Sequence, residues 1–121
     1  MTIETLKLIL HILIPLGILN VWLIRRDKAT VFRGGTAKTL KSEFAEYGFP
    51  DYAFYVVGAA KFISAALVFL GIFFPSLTLP GALAMAFLMV GALVMHAKVK
   101  DPLNRYLPAF AMLILCLVLL F

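Results

Sequence analysis

Four long apolar runs dominate the pattern of hydrophobic and polar positions along the chain. They extend from Leu6 to Ile24, from Tyr52 to Phe74, from Leu77 to Met95 and from Leu103 to Phe121, and they are almost free of charge. A run of about 20 apolar residues matches the roughly 30 Å hydrocarbon core of a bilayer. The pattern therefore predicts an all-α integral membrane protein, folded as a four-transmembrane-helix bundle.

A single membrane domain accounts for residues 1–121, because no polar stretch is long enough for a soluble domain. The predicted spans cover about residues 3–24, 52–74, 77–96 and 102–121. Only Phe74 to Leu77 connect the second and third spans, so these two spans are expected to be antiparallel neighbours. Glycine and alanine are frequent in both spans, which allows close approach of the backbones and predicts a compact bundle.

Residues with helix-capping chemistry mark several of the predicted ends. Thr2 is placed to cap the first span, which Pro15 is expected to interrupt because proline removes a backbone donor. Asp101 followed by Pro102 predicts a cap and a first-turn proline for the fourth span.

The long first loop contains an amphipathic segment. Thr36 is the expected capping residue, and Gly48 is the expected end of the helix. In between, apolar residues recur at helical spacing, namely Ala37, Leu40, Phe44 and Tyr47. This pattern predicts an amphipathic helix over about residues 37–47 that lies on the membrane surface and packs under the bundle. A helix that docks a partner is the alternative interpretation.

Charge placement predicts the orientation in the membrane. The net charge is +5, and nine of the eleven basic residues lie in the first and third loops. Basic loops face the cytoplasm, so both termini are expected outside the cytoplasmic membrane. Those of the first loop are candidates for contact with lipid headgroups: Arg25, Arg26, Lys28, Arg33, Lys38 and Lys41. This membrane placement argues against a nucleic-acid partner.

One polar constellation is predicted at the cytoplasmic end of the bundle. Lys61 lies roughly 13 Å deep in its span, where a lysine is costly, and both its side chain and that of His96 lean toward the inner interface. Asp101 lies five residues past His96 and is the acidic group nearest to it, and Arg105 and Tyr106 follow one turn later. These five residues are the candidates for a pocket that receives a ligand carbonyl, a lipid phosphate or a polar group of a partner.

A structural interpretation of the same residues stays open. Lys61 would then extend its ammonium to water or a headgroup, Asp101 would only cap its helix, and His96 would sit at the interface. His11 leans toward the opposite face, which makes a two-histidine metal site improbable. No catalytic motif, metal site or cofactor signature is present, and Cys116 is the only cysteine. Catalytic residues are therefore not assigned.

Several motifs resemble the DoxX-like family of small four-span membrane proteins. They are the stretch Gly58 to Lys61, the tight proline turn, and His96 with its spacing to the Asp-Pro-Leu-Asn-Arg-Tyr motif that ends at Tyr106. The Gly34-Gly35 turn and the stretch Glu46 to Pro50 extend the resemblance over most of the chain. The third and fourth spans are also similar to the nicotinic-receptor chaperone NACHO. Lys61 stands where many relatives have glutamate, so acid chemistry does not carry over to it.

The resemblance implies a four-helix bundle and a choice of functions. We favour a non-enzymatic accessory or assembly subunit of a larger complex in the cytoplasmic membrane of a bacterium, contacting lipids and other integral membrane proteins. One alternative is a quinone-interacting redox subunit, in which Lys61 and His96 hydrogen-bond a quinone carbonyl. Another is an anionic-lipid-binding protein. Each is compatible with a homo-oligomer.

Overall fold

The described part of the chain is almost entirely helical. A computed structural model describes residues 2–24 and 39–121. Its α-helices are α1 (Ile3–Leu19), α2 (Leu40–Glu46), α3 (Asp51–Leu70), α4 (Thr78–Lys98) and α5 (Leu107–Leu120). A π-helical stretch, Asn20–Ile24, follows α1, and 3-10 turns, Pro75–Leu77 and Leu103–Tyr106, precede α4 and α5.

Four of these helical stretches are long and apolar enough to cross a membrane. Within the described residues they are Ile3–Trp22, Asp51–Leu70, Pro75–Lys98 and Leu103–Leu120. The prediction of an all-α, four-span membrane protein is therefore confirmed. The second span, α3, is shorter than its apolar run, because the helix ends at Gly71 and Phe74, which precedes a proline, is not helical.

The spans form a ring in which α1 packs on α3, α3 on α4, α4 on α5, and α5 on α1. Each span contributes at least one fully buried side chain, and the largest of these are Ile14, Val68, Met85 and Cys116. The α3–α4 contact is especially close at Gly81. A Cβ atom there would lie 2.8 Å from the Cβ of Leu67, so only glycine fits without a shift.

The sequence predicted the start of α1 correctly, but not the course of the helix at Pro15. Thr2 caps α1 as expected, since its hydroxyl accepts a hydrogen bond from the Thr5 backbone at 3.1 Å. The expectation that Pro15 interrupts the helix is wrong, because α1 continues through it to Leu19. Proline is tolerated in membrane helices because neighbouring groups re-satisfy the backbone carbonyl that it leaves unpaired.

The α4–α5 corner also departs from the prediction. Asp101 is the cap that the sequence predicts for the fourth span, but the residues at the cap positions of the 3-10 turn and of α5 are Pro102 and Tyr106, and neither makes a side-chain capping bond. The Asp101 carboxylate instead bonds side chains of its own corner, as described below. The proline in the first turn of α5 is Pro108 rather than Pro102.

The amphipathic helix of the first loop is present but short. It begins at Leu40 rather than at residue 37, because Thr39 and Ser42 form a reciprocal capping box. Gly48, with a φ of 86°, lies just beyond its end, as predicted. Phe44 and Tyr47 are buried, so one face packs under the bundle. The expected cap Thr36 and its neighbour Ala37 lie outside the described residues.

Candidate functional site

A buried carboxylate organises the corner between α4 and α5. His96 Nδ1 lies at hydrogen-bond distance, 2.7 Å, from Asp101 Oδ2, and Arg105 donates to Asp101 Oδ1 at 3.1 Å. The side chain of Asp101 is only 2% exposed. The short turn after α4 folds Asp101 back over the last turn of α4, which brings these three residues together.

Two aromatic rings pack against His96. The Tyr106 ring lies 5.5 Å from the His96 ring and the Tyr47 ring lies 5.9 Å from it, centroid to centroid. Lys98 then donates to the backbone carbonyl of Tyr47 at 2.7 Å. These contacts attach α2 to the α4–α5 corner.

Glu43 is the member of the site that the sequence analysis missed. It is 8% exposed, accepts a hydrogen bond from the Tyr47 hydroxyl, and places Oε1 4.0 Å from His96 Nε2. The sequence contained one indication of this role: Glu43 lies four residues before Tyr47, which puts both side chains on the same face of α2. That face had been assigned from its apolar residues alone.

Lys61 lies apart from the other four predicted residues. Its ammonium lies 5.2 Å from the centroid of the Trp22 ring, in a cation–π contact. Glu43 is the acidic residue that lines the same cleft as Lys61, whereas Asp101, which the sequence analysis favoured, does not line it. The structure therefore brings His96, Asp101, Arg105 and Tyr106 together, and Glu43 lies 4.0 Å from His96 while sharing the cleft with Lys61.

A cleft of about 180 Å³ lies between α2, α3 and α4. Glu43 and Lys61 supply its charged groups, and most of its remaining lining is apolar. Phe87 and Gly91, both exposed, lie on its α4 side. His96 and Asp101 do not line it. The predicted pocket is thus divided into a closed polar corner and an open, mainly apolar cleft.

Trp22 packs tightly beside this cleft. Its ring stacks on Phe54 at 5.0 Å between centroids, and a Cβ at Gly58 would lie 2.5 Å from the ring. Its indole N–H is buried and has no hydrogen-bond partner among the residues that the structure describes. The close approach of the π-helical end of the first span to α3 therefore depends on glycine.

One of the predicted headgroup residues, Lys41, lies on the loop helix α2. Lys41 is exposed, and its Nζ lies 3.5 Å from the Tyr55 hydroxyl and 5.5 Å from that ring. The other headgroup candidates lie outside the described residues, namely Arg25, Arg26, Lys28, Arg33 and Lys38.

His11 belongs to a different part of the bundle. Its Nδ1 lies 2.6 Å from the Lys7 carbonyl oxygen and its Nε2 2.9 Å from the Thr78 hydroxyl, which connects α1 to the start of α4. Its local partners agree with the expectation that it stays out of the candidate site. In residues 2–24 and 39–121, no three His, Cys, Asp or Glu side chains are grouped to hold a metal ion.

The comparisons with known proteins identify the family. No curated protein and no solved structure matches the chain. The family model of the DoxX-like family matches residues 29–120, which include α2 to α5 and every residue of the candidate site. The match covers well over half of the sequence. The chain therefore belongs to the DoxX-like family.

Proposed function

We propose that this protein is a non-enzymatic accessory or assembly subunit of a larger complex in the cytoplasmic membrane. The observation that carries this proposal is the mutual bonding of the polar side chains at the α4–α5 corner. Asp101 holds both His96 and Arg105, and Tyr47 holds Glu43. Each contact joins segments of the same chain.

A general acid or base must lie within hydrogen-bond reach of the substrate atom that gains or loses the proton. His96 is 5% exposed, and its Nδ1 is engaged with Asp101 while its Nε2 faces Glu43. An arrangement of this kind favours a rigid corner that fixes α2 against the spans. A fixed surface of this type suits a subunit that stabilises or assembles other membrane proteins.

The orientation belongs to the same proposal. The first and third loops carry nearly all basic residues, so we place them in the cytoplasm and both termini outside. The α4–α5 corner and α2 then lie at the cytoplasmic surface, where Lys98 and Arg105 are found. A partner would meet this surface or the apolar sides of the spans.

The quinone alternative receives less support from the geometry. It relied on Lys61 and His96 contacting one carbonyl, but only Lys61 lines the cleft. His96 instead packs against the Tyr47 and Tyr106 rings.

Copurification from native membranes tests the proposal. The tagged chain would be extracted in a mild detergent, and its complex would be sized and analysed by mass spectrometry. We expect at least one integral membrane protein in fixed stoichiometry, absent from a parallel purification of an unrelated four-span protein with the same tag. Recovery of folded protein that is alone or only self-associated would contradict the proposal.

A further inference from the structure

The cleft between α3 and α4 opens on the membrane-facing side of the bundle. Phe87 is 78% exposed, and a Cβ at Gly91 would meet no atom within 4 Å. Both residues lie in the middle and second half of a helix that is long and apolar enough to span the bilayer. Acyl chains therefore reach the mouth of the cleft, and a molecule dissolved in the bilayer has lateral access.

Lys61 presents an unsatisfied donor inside this cleft. Within the described residues its ammonium makes the cation–π contact with Trp22 but no hydrogen bond or ion pair. An ammonium carries three N–H donors, and leaving them unpaired in an apolar site is costly. The cleft therefore favours a ligand that brings an oxygen acceptor.

The charge of the cleft restricts which acceptor fits. Glu43 lies in the same lining and acts on Lys61 electrostatically, so the two charges offset each other. A headgroup with a net negative charge would be repelled by Glu43, and a headgroup with a net positive charge would be repelled by Lys61. A neutral carbonyl or hydroxyl oxygen accepts from Lys61 without either repulsion.

Depth and size agree with this restriction. The Cα of Lys61 lies ten residues beyond Asp51, or about 15 Å along α3, and its side chain leans back toward the cytoplasmic end, so the ammonium lies in the inner half of a hydrocarbon core of about 30 Å. The cleft of about 180 Å³ is smaller than the roughly 300 Å³ or more of pockets that enclose a drug-sized ligand. It accommodates a polar end group, while an apolar tail leaves past Phe87 into the bilayer.

We propose that this cleft binds the polar end of a neutral membrane lipid that carries carbonyl or hydroxyl oxygens. Lys61 donates to the oxygen, Glu43 balances the charge of Lys61, and the tail lies along α4 beside Gly91. A diacylglycerol, an isoprenoid alcohol and a quinone share this chemistry. The site is complete within one chain, so it does not depend on the proposed partner subunit.

Photolabelling in vesicles tests this site directly. The intact protein would be reconstituted in phosphatidylcholine with a photoactivatable diacylglycerol, or with a phosphatidylglycerol that carries the same photoactivatable chain. We expect the diacylglycerol to label the part of α4 that contains Phe87 and Gly91. Lys61→Met should reduce this labelling about tenfold, because one hydrogen bond from a charged donor is lost.

Two further variants separate site loss from misfolding. Gly91→Leu should fill the mouth of the cleft and abolish labelling without disturbing the bundle, since space is open there. Ala84→Leu is the matched control, because Ala84 is exposed two turns away on the same face of α4 and does not line the cleft. It should label as the unchanged protein does.

Competition then identifies the source of the headgroup. Displacement by unlabelled diacylglycerol alone points to a glyceride or alcohol, and displacement by a short-chain quinone as well shows that quinones share the site. Both results support the proposal. Equal labelling by the phosphatidylglycerol probe, or wild-type labelling of both Lys61→Met and Gly91→Leu, would overturn it.

Discussion

Removing the Asp101 carboxylate should weaken the whole cytoplasmic corner. The hydrogen bond between the carboxylate and His96 joins side chains that are 2% and 7% exposed, and such a charge-assisted bond contributes about 1.5–3 kcal/mol. The pair with Arg105 is partly exposed and spaced four residues apart, so it adds only about 0.3–0.5 kcal/mol. We therefore expect Asp101→Ala to lower the free energy of unfolding by about 2–3 kcal/mol.

Equilibrium unfolding in mixed micelles can measure this loss. The chain has one tryptophan, and the Trp22 ring is 3% exposed, so its fluorescence reports the opening of the bundle. Asp101→Asn should lose less than Asp101→Ala, because the amide keeps one acceptor oxygen. The control is Asp51→Ala, at an exposed carboxylate in the first turn of α3, with an expected cost of about 0.3–1 kcal/mol. If Asp101→Ala costs no more than this control, the carboxylate does not organise the corner.

Three further predictions test packing and orientation. Phe44→Asp should expose the first loop to limited proteolysis, because it buries a charge among aromatic rings, whereas Ala45→Asp on the exposed face should leave the cleavage rate unchanged. Gly81→Ala should cost about 1–3 kcal/mol through overpacking, while Gly91→Ala should be nearly neutral or slightly stabilising, as unfolding in micelles would show. In a cysteine-free background, an impermeant thiol reagent should label Glu4→Cys in intact cells and leave Ala45→Cys unlabelled; the opposite pattern would reverse the proposed orientation.

The four spans could be predicted because bilayer thickness imposes a length and a composition that a single sequence displays. The cap at Thr2 could also be predicted, because it depends only on residues within one helical turn. The exact end of α3 and the exact start of α2 could not be predicted. The helix boundaries set by Gly71 and by the capping box at Thr39 lie inside stretches whose apolar pattern continues past them. Pro15 was misjudged for a similar reason, as the effect of a proline in a span depends on the surrounding helices.

The candidate site was predicted where it is local and missed where it is not. His96, Asp101, Arg105 and Tyr106 lie within eleven consecutive residues, so their proximity follows from one turn. The relation of Lys61 to Glu43 depends on how α2 docks beneath the bundle, and no spacing in the sequence encodes that docking. The expected convergence of Lys61 and His96 near the inner interface favoured Asp101, five residues past His96, as the acid for Lys61. In the structure Glu43, not Asp101, lines the cleft together with Lys61.

Two double-mutant cycles test most directly whether Glu43 is the acidic partner of the intramembrane lysine. The first combines Lys61→Met with Glu43→Gln, and the second combines Lys61→Met with Asp101→Asn. Unfolding free energies in the same micelles give the coupling energy of each pair. Because Glu43 lines the cleft with Lys61 and Asp101 does not, the structure predicts coupling well above about 0.5 kcal/mol in the first cycle and additive effects in the second. Additive effects in the first cycle, or stronger coupling in the second, would contradict this account of the cleft.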